Sequence, residues 1–307
     1  MTNSPNPHAA LEFILQVERF YAGLILEQNQ SKRALVEIHR GGFFLRKKPL
    51  DGVVSEYSYS DFSVAAGTGL DAEPSLGGRL LYAGQLDAQA RALLMAANIA
   101  GAASLAISAD ADAGKQAIRD GVVDFLVNSL DEALRILKNE IRKRTTVAVC
   151  VAQNSEADFA RQLLERGVLP DLLPPRSAPA PEFAAFLSQG ARPVVAILPD
   201  ANQVLLTWSV ADAPTRWLPK LDALAIDCLS SDPSSAAASA HRWLRLAPRY
   251  LGRRSQGLRL LRCDESTAAR FRNQVQEQVD RGEITVAVEI QSFPPAASIR
   301  AQSSFTP

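Results

Sequence analysis

Residues 79–84, 104–109 and 122–127 read RLLYAG, SLAISA and VVDFLV, three short β-rich runs separated by Asp87 to Ile99 and Ala111 to Arg119, both helical in pattern. Short apolar runs alternating with helices of about ten residues are the mark of βαβ units on a parallel sheet, so this stretch predicts a Rossmann-like α/β core. Working outward, Ser129 and Glu132 form a capping box ahead of Leu134, Ile136, Leu137 and Ile141, which predicts the next helix. The run TTVAVCV follows as a strand, and Ser155 with Asp158 repeats the start signal before Phe159, Leu163 and Leu164. Arg166 and Gly167 close that helix, glycine being suited to a left-handed C-terminal position, and LPDLL (169–173) ends the unit.

Before this core, Leu11, Ile14, Leu15, Val17, Phe20, Tyr21, Leu24 and Ile25 recur at helical spacing, predicting an amphipathic helix that ends in the polar run Glu27 to Lys32. Its apolar stripe is expected to face core or a dimer seam. From Gly41 to Gly78 the pattern is irregular, with loops and a short strand or hairpin expected. After the core, PPRSAPAPE (174–182) can neither continue a helix nor pair in a central strand and is the best internal boundary. A second α/β portion is expected beyond it, with strands at VVAILP, QVLLTWS, GLRLLRC and EITVAVEI, an apolar LDALAIDC, helices from about Ser234 to Leu251 and Ser266 to Arg281, and a frayed tail SFPPAASIRAQSSFTP. The expected division is an N-terminal helix and irregular segment (1–75), a Rossmann-like domain (76–175) and the second α/β portion (176–307).

The chain has 307 residues, 47% hydrophobic, with 33 basic against 33 acidic side chains. A balanced charge gives no global field toward nucleic acid or an anionic membrane, and neither partner is expected. Cys150, Cys228 and Cys263 are three widely spaced cysteines without a CxxC, fitting a reducing compartment better than a disulfide framework or structural zinc. No basic n-region precedes an apolar stretch, and no apolar run nears the roughly 20 residues of a spanning helix, so a cytoplasmic protein is expected. His8, His39 and His241 are too dispersed for a metal set, and no metal is expected. The eight arginines from Arg242 to Arg270 are expected to form a solvated face paired with acids.

The stretches GGRLLYAG, AGAASLAISAD, GVVDFLVNSLDEALR and LLERGVLPDLL, in that order, resemble the urocanase family, NAD-dependent hydratases of histidine breakdown. Farther on, His241, Arg242, Trp243 and Leu244, then Gln256, Gly257 and Leu258, then Cys263, resemble an HRWL, a QGL and an active-site cysteine of that family. The likeness covers roughly residues 76–292. It implies NAD held on a glycine-rich turn after the first strand. Here that turn has Gly84 alone, while Gln85, Asp87, Ala88, Ala90 and Arg91 stand where the family has glycines, and Ser108 stands where it has a ribose-binding glutamate. Fingerprint glycines let the backbone approach a pyrophosphate at a helix N-terminus, so NAD binding is expected to be lost. Asp264 follows Cys263 in place of the family's tryptophan, and PPRSAPAP keeps Ser177 and Ala178 of the family's DQTSAHDP while dropping its acid and histidine. An acid beside a thiol disfavours the thiolate, so Cys263 is expected to be inert. Three readings follow: a non-catalytic urocanase-like binding, regulatory or scaffold protein, expected as a homodimer; a urocanate hydratase-type lyase; and a sensor of a small anion held by Arg91.

Overall fold

The computed structural model describes residues 7–41, with side chains as far as Asn29, together with 75–176, 180–230 and 235–293. A six-stranded parallel sheet contains β1 (Leu80–Gln85), β2 (Ala103–Ser108), β3 (Phe125–Val127), β4 (Val147–Ala152), β5 (Leu172–Leu173) and β6 (Arg192–Pro193), in the order β3-β4-β2-β1-β5-β6. The expected Rossmann-like core is therefore present. Its helices are α2 (Ala88–Ala100), α3 (Ala111–Arg119), α4 (Leu130–Lys143), α5 (Glu156–Glu165) and α6 (Pro181–Ser188).

Alternation along the strands decides which helix lies on which face. Leu80, Tyr82, Leu105, Ile107, Val147, Val149 and Val151 share a core with α4, α5 and α6. The opposite face offers smaller residues, Ala83, Ala106, Ala148 and Cys150, and α2 comes down onto these. Every residue of α2 from Ala92 to Ala97 is fully buried. A helix that is apolar all round needs cover on its outer side as well, and α1 (Pro7–Gly41) supplies it. Ile14, Val17, Phe20, Tyr21, Leu24 and Ile25 join the same core as α2, so the stripe of α1 is internal.

Two boundaries differ from the sequence expectation. The helix α1 runs through the polar run at 27–32 to Gly41. Glu, Gln and Lys are good helix formers, so polarity there does not end the helix, which stops at a glycine. The strand expected at 194–199 is replaced by the two-residue β6, because Pro193 lacks an N–H and the chain then turns toward α1, where the Ile197 amide donates to the Arg19 carbonyl at 3.0 Å. Loops and the hairpin expected between Gly41 and Gly78 lie outside the described residues up to residue 74, as does the tail beyond Phe293. After the proline-rich stretch the chain returns to the same sheet through α6 and β6.

The remainder builds a three-stranded antiparallel sheet, β8-β7-β9, from β7 (Gln203–Val210), β8 (Leu258–Asp264) and β9 (Val288–Phe293). The last strand begins five residues later than expected. Packed with it are α7 (Pro214–Ser230), which contains the LDALAIDC run, α8 (Ser235–Leu251) and α9 (Glu265–Asp280). Trp208 is buried against Phe271, ring centroids 4.9 Å apart, and its indole N–H donates to Asp222, which also pairs with Arg259 at 2.8 Å. Arg242 of α8 donates to the Ile99 carbonyl at 2.7 Å, placing a cation at the C-terminal end of α2. No helix among the described residues is long and apolar enough to cross a membrane.

Candidate functional site

In an open α/β sheet, ligands bind outside the carboxyl ends of the strands where the strand order reverses. Here the chain moves from β1 out through β2 to β3 and β4, then crosses back to β5 on the other flank of β1. The head of β1 is therefore the place to look. Its pairing with β2 slips by one residue between Tyr82 and Gly84, and Gly84 sits at φ +76°. A Cβ added at Gly84 would run into the Glu156 carboxylate and lie 2.7 Å from Nη2 of Arg176. Glu156 opens α5 and Arg176 follows β5; the two form an ion pair directly over the glycine. The Arg176 guanidinium also lies 4.0 Å from the centre of the Phe183 ring. Below that ring stacks Tyr82, whose phenol burial pushes to a higher pKa, with the Glu156 charge adding to the effect.

The side chains of the turn bond to their own surroundings. Asp87 has extended backbone and caps α2, its carboxylate accepting from the Ala90 amide at 2.7 Å. That satisfies one of the amides a helix N-terminus leaves free. The Gln85 side chain donates to the Asn154 carbonyl at 3.4 Å. Arg91 donates to the Ala113 carbonyl at 2.9 Å and lies 3.4 Å from Asp120, so its charge is engaged with α3 and its C-terminal cap. Ala88 and Ala90 lie in the first turn of α2. Ser108 ends β2, buried, and its hydroxyl donates to the Asp110 carbonyl at 2.8 Å.

Cys263 stands elsewhere, near the end of β8. Burial, with Asp264 and Glu265 adding to it, pushes its thiol up to about 12. Asp264 caps α9: burial works against its charge, but hydrogen bonds from Ser266 and from the amide and hydroxyl of Thr267 hold it down to about 2. Cys263 lines a cleft of about 660 Å³ between α1, the 197–203 segment, the start of α8 and the end of β8. None of Gly84, Gln85, Asp87, Arg91 or Ser108 lines that cleft. Sequence reasoning missed the Glu156–Arg176 pair, and it missed the cleft, which joins α1 to residues more than 160 positions later. Of the arginines from Arg242 to Arg270, Arg254, Arg259 and Arg262 pair with Asp120, Asp222 and Glu18, and Arg242 and Arg270 donate to backbone carbonyls. Among the described residues no His, Cys, Asp and Glu group could hold a metal.

A doubly covered parallel sheet with its order reversal at β1 defines a Rossmann-like α/β protein. Residues 58–187 match the family model described as the urocanase Rossmann-like domain, so that this part of the chain is similar to the urocanase family.

Proposed function

We propose that this urocanase-like protein neither holds NAD at the head of β1 nor hydrates urocanate, and acts instead as a non-catalytic binding protein. The observation that carries the reading is the filled space over Gly84. A pyrophosphate there needs open backbone and unengaged amides. It would meet the Glu156–Arg176 pair, and beside it the Asp87 carboxylate, a like charge already bonded to α2. Ser108, its hydroxyl turned to its own loop, offers no carboxylate to ribose hydroxyls. Each lost charge-assisted hydrogen bond costs roughly 1.5–3 kcal/mol, so the ribose contact and most of the phosphate cradle together outweigh a tight site. Cys263 adds no nucleophile, since a thiol raised to about 12 is protonated at neutral pH. Arg91 is engaged with α3, which favours this reading over an anion sensor at the turn. The stripe of α1 is internal, so the expectation of a homodimer rests on the family resemblance alone.

The test is to denature the purified protein and look for released NAD, and to follow urocanate's ultraviolet absorbance with the native protein, with and without added NAD. No released NAD and a steady absorbance are expected. Released NAD, or a protein-dependent loss of absorbance, overturns the reading in favour of a hydratase-type lyase.

A further inference from the structure

The strand β3 lies at the edge of the parallel sheet. It pairs with β4 from Phe125 opposite Val149 to Val127 opposite Val151, and no strand among the described residues lies on its other side. Side chains alternate along a strand, so Phe125 and Val127 share a face. Val127 is buried in the core beneath α4, whereas Phe125 is 47% exposed and is the one aromatic among the exposed large apolar side chains of the described residues. A groove of about 620 Å³ runs beside it, built wholly from residues 124–147 and lined also by Arg135, Ile136, Asn139 and Glu140. Ile136 packs on the same core and continues the apolar floor.

An open edge is a template for a further strand, and natural sheets commonly guard theirs with charges. Here the guards are turned away. Asp124, just ahead of β3, accepts from the Ala148 amide at 2.8 Å. Glu140 accepts from Asn139 at 3.0 Å, from Lys143 at 3.1 Å and from the Thr145 hydroxyl. Asp131, one turn before Arg135, pairs with Arg166. The acids about the groove are thus engaged, while Arg135 and Lys138, exposed on α4, make no hydrogen bond or ion pair among the described residues.

A second copy presenting the same edge across a two-fold axis would set these cations against themselves, which disfavours it. An extended segment of a different chain supplies what the edge lacks: backbone groups for β3, an apolar side chain for Phe125 and Ile136, and a carboxylate for Arg135. We infer that β3 docks an extended acidic segment of another protein as a further strand of the sheet. The inference names the partner class of a chain that acts by binding, and it rests on the functional reading to that extent only.

Three fluorescein-labelled heptapeptides test it by anisotropy against the full chain: TVTETVT, which sets valines and a glutamate on one face of a strand; TVTKTVT; and TVPEPVT, whose prolines lack the amides a strand needs. Saturable binding of the first is expected, severalfold tighter than the second, with no saturation by the third. Hydrogen exchange should slow within residues 124–128 on binding. Arg135→Glu, at an exposed helix position, should exchange the preference between the glutamate and lysine peptides, and Phe125→Thr, which keeps a β-branched residue in the strand, should abolish saturation with cooperative thermal unfolding retained. Failure of TVTETVT to saturate, equal binding of the proline peptide, an unchanged preference in Arg135→Glu, or a dimer by light scattering that Phe125→Thr dissolves would overturn the proposal, the last by showing that a second copy covers the edge. NAD titrated in the same series keeps the two readings apart, since NAD binding would undo the functional reading and leave the peptide result standing.

Discussion

At the head of β1 the space over Gly84 is taken by paired charges from α5 and from the segment after β5, while the cleft beside α1 stays open. Both regions rest on the core that contains α2, so the difference between them is not one of framework. On the proposed function, a handful of side chains at a turn closes a crevice that the strand order alone would mark as the binding place. Fold and site are separable in this sense, since core packing does not depend on what the turn can hold.

The largest effect should come from the wall of the cleft. Glu18 is buried, and burial pushes its carboxyl up against the hydrogen bonds from Arg262 that pull it down. Arg262→Met should cost about 3–5 kcal/mol in urea unfolding at neutral pH, the range for breaking a buried pair. With its partner gone, the folded-state pKa of Glu18 rises further above its unfolded value of 4.5, so the folded state holds the extra proton. The loss should therefore be smallest below that value and grow as pH rises above it.

A smaller effect tests the filling of the turn. Gly84→Ala should cost about 1–3 kcal/mol, because a Cβ is strained at φ +76° and meets the ion pair. Part of that cost should disappear when Glu156→Ala and Arg176→Ala are made in the same chain; strict additivity would show that the pair does not crowd Gly84. Smaller again, Asp87→Ala should lower stability by about 1 kcal/mol for loss of the helix cap, and Asp87→Gly by only a few tenths. Equal losses in the two variants would remove Asp87 from its place at the α2 amides. Least of all, Cys263 should show negligible alkylation by iodoacetamide at pH 7 in the folded protein, read by mass spectrometry, with its thiol at about 12. Modification as fast as in the unfolded chain would contradict that environment.

The parallel sheet was legible because its strands are buried on both faces, which writes itself as short apolar runs between capped helices. Ser129 and Ser155 accept from Glu132 and Asp158 as their spacing implies, and Gly167 closes α5 at φ +65°. The end of α1 was not legible, since the residues at 27–32 are as compatible with helix as with its end. Nor was the loss of the strand at 194–199, where the Ile197 amide bonds to the Arg19 carbonyl of α1 rather than to a neighbouring strand. Of the site, the replaced glycines were visible one by one. What lies above them was not: Arg176 sits in a proline-rich stretch that carries no periodic pattern, and Glu156 reads simply as the first residue of a helix. The cleft needed α1 and β8 to be neighbours, a contact between distant parts of the chain that no local pattern encodes.

The central claim is that side chains at the head of β1 exclude a dinucleotide, and the most direct measurement is a calorimetric titration of NAD into the native protein, repeated in the Asp87→Gly, Glu156→Ala, Arg176→Ala triple variant. The account predicts no saturable heat in the native chain up to about 1 mM NAD, a ceiling equivalent to about −4 kcal/mol of binding, and any gain confined to the variant. Saturation of the native chain with a dissociation constant near or below about 1 μM would contradict it.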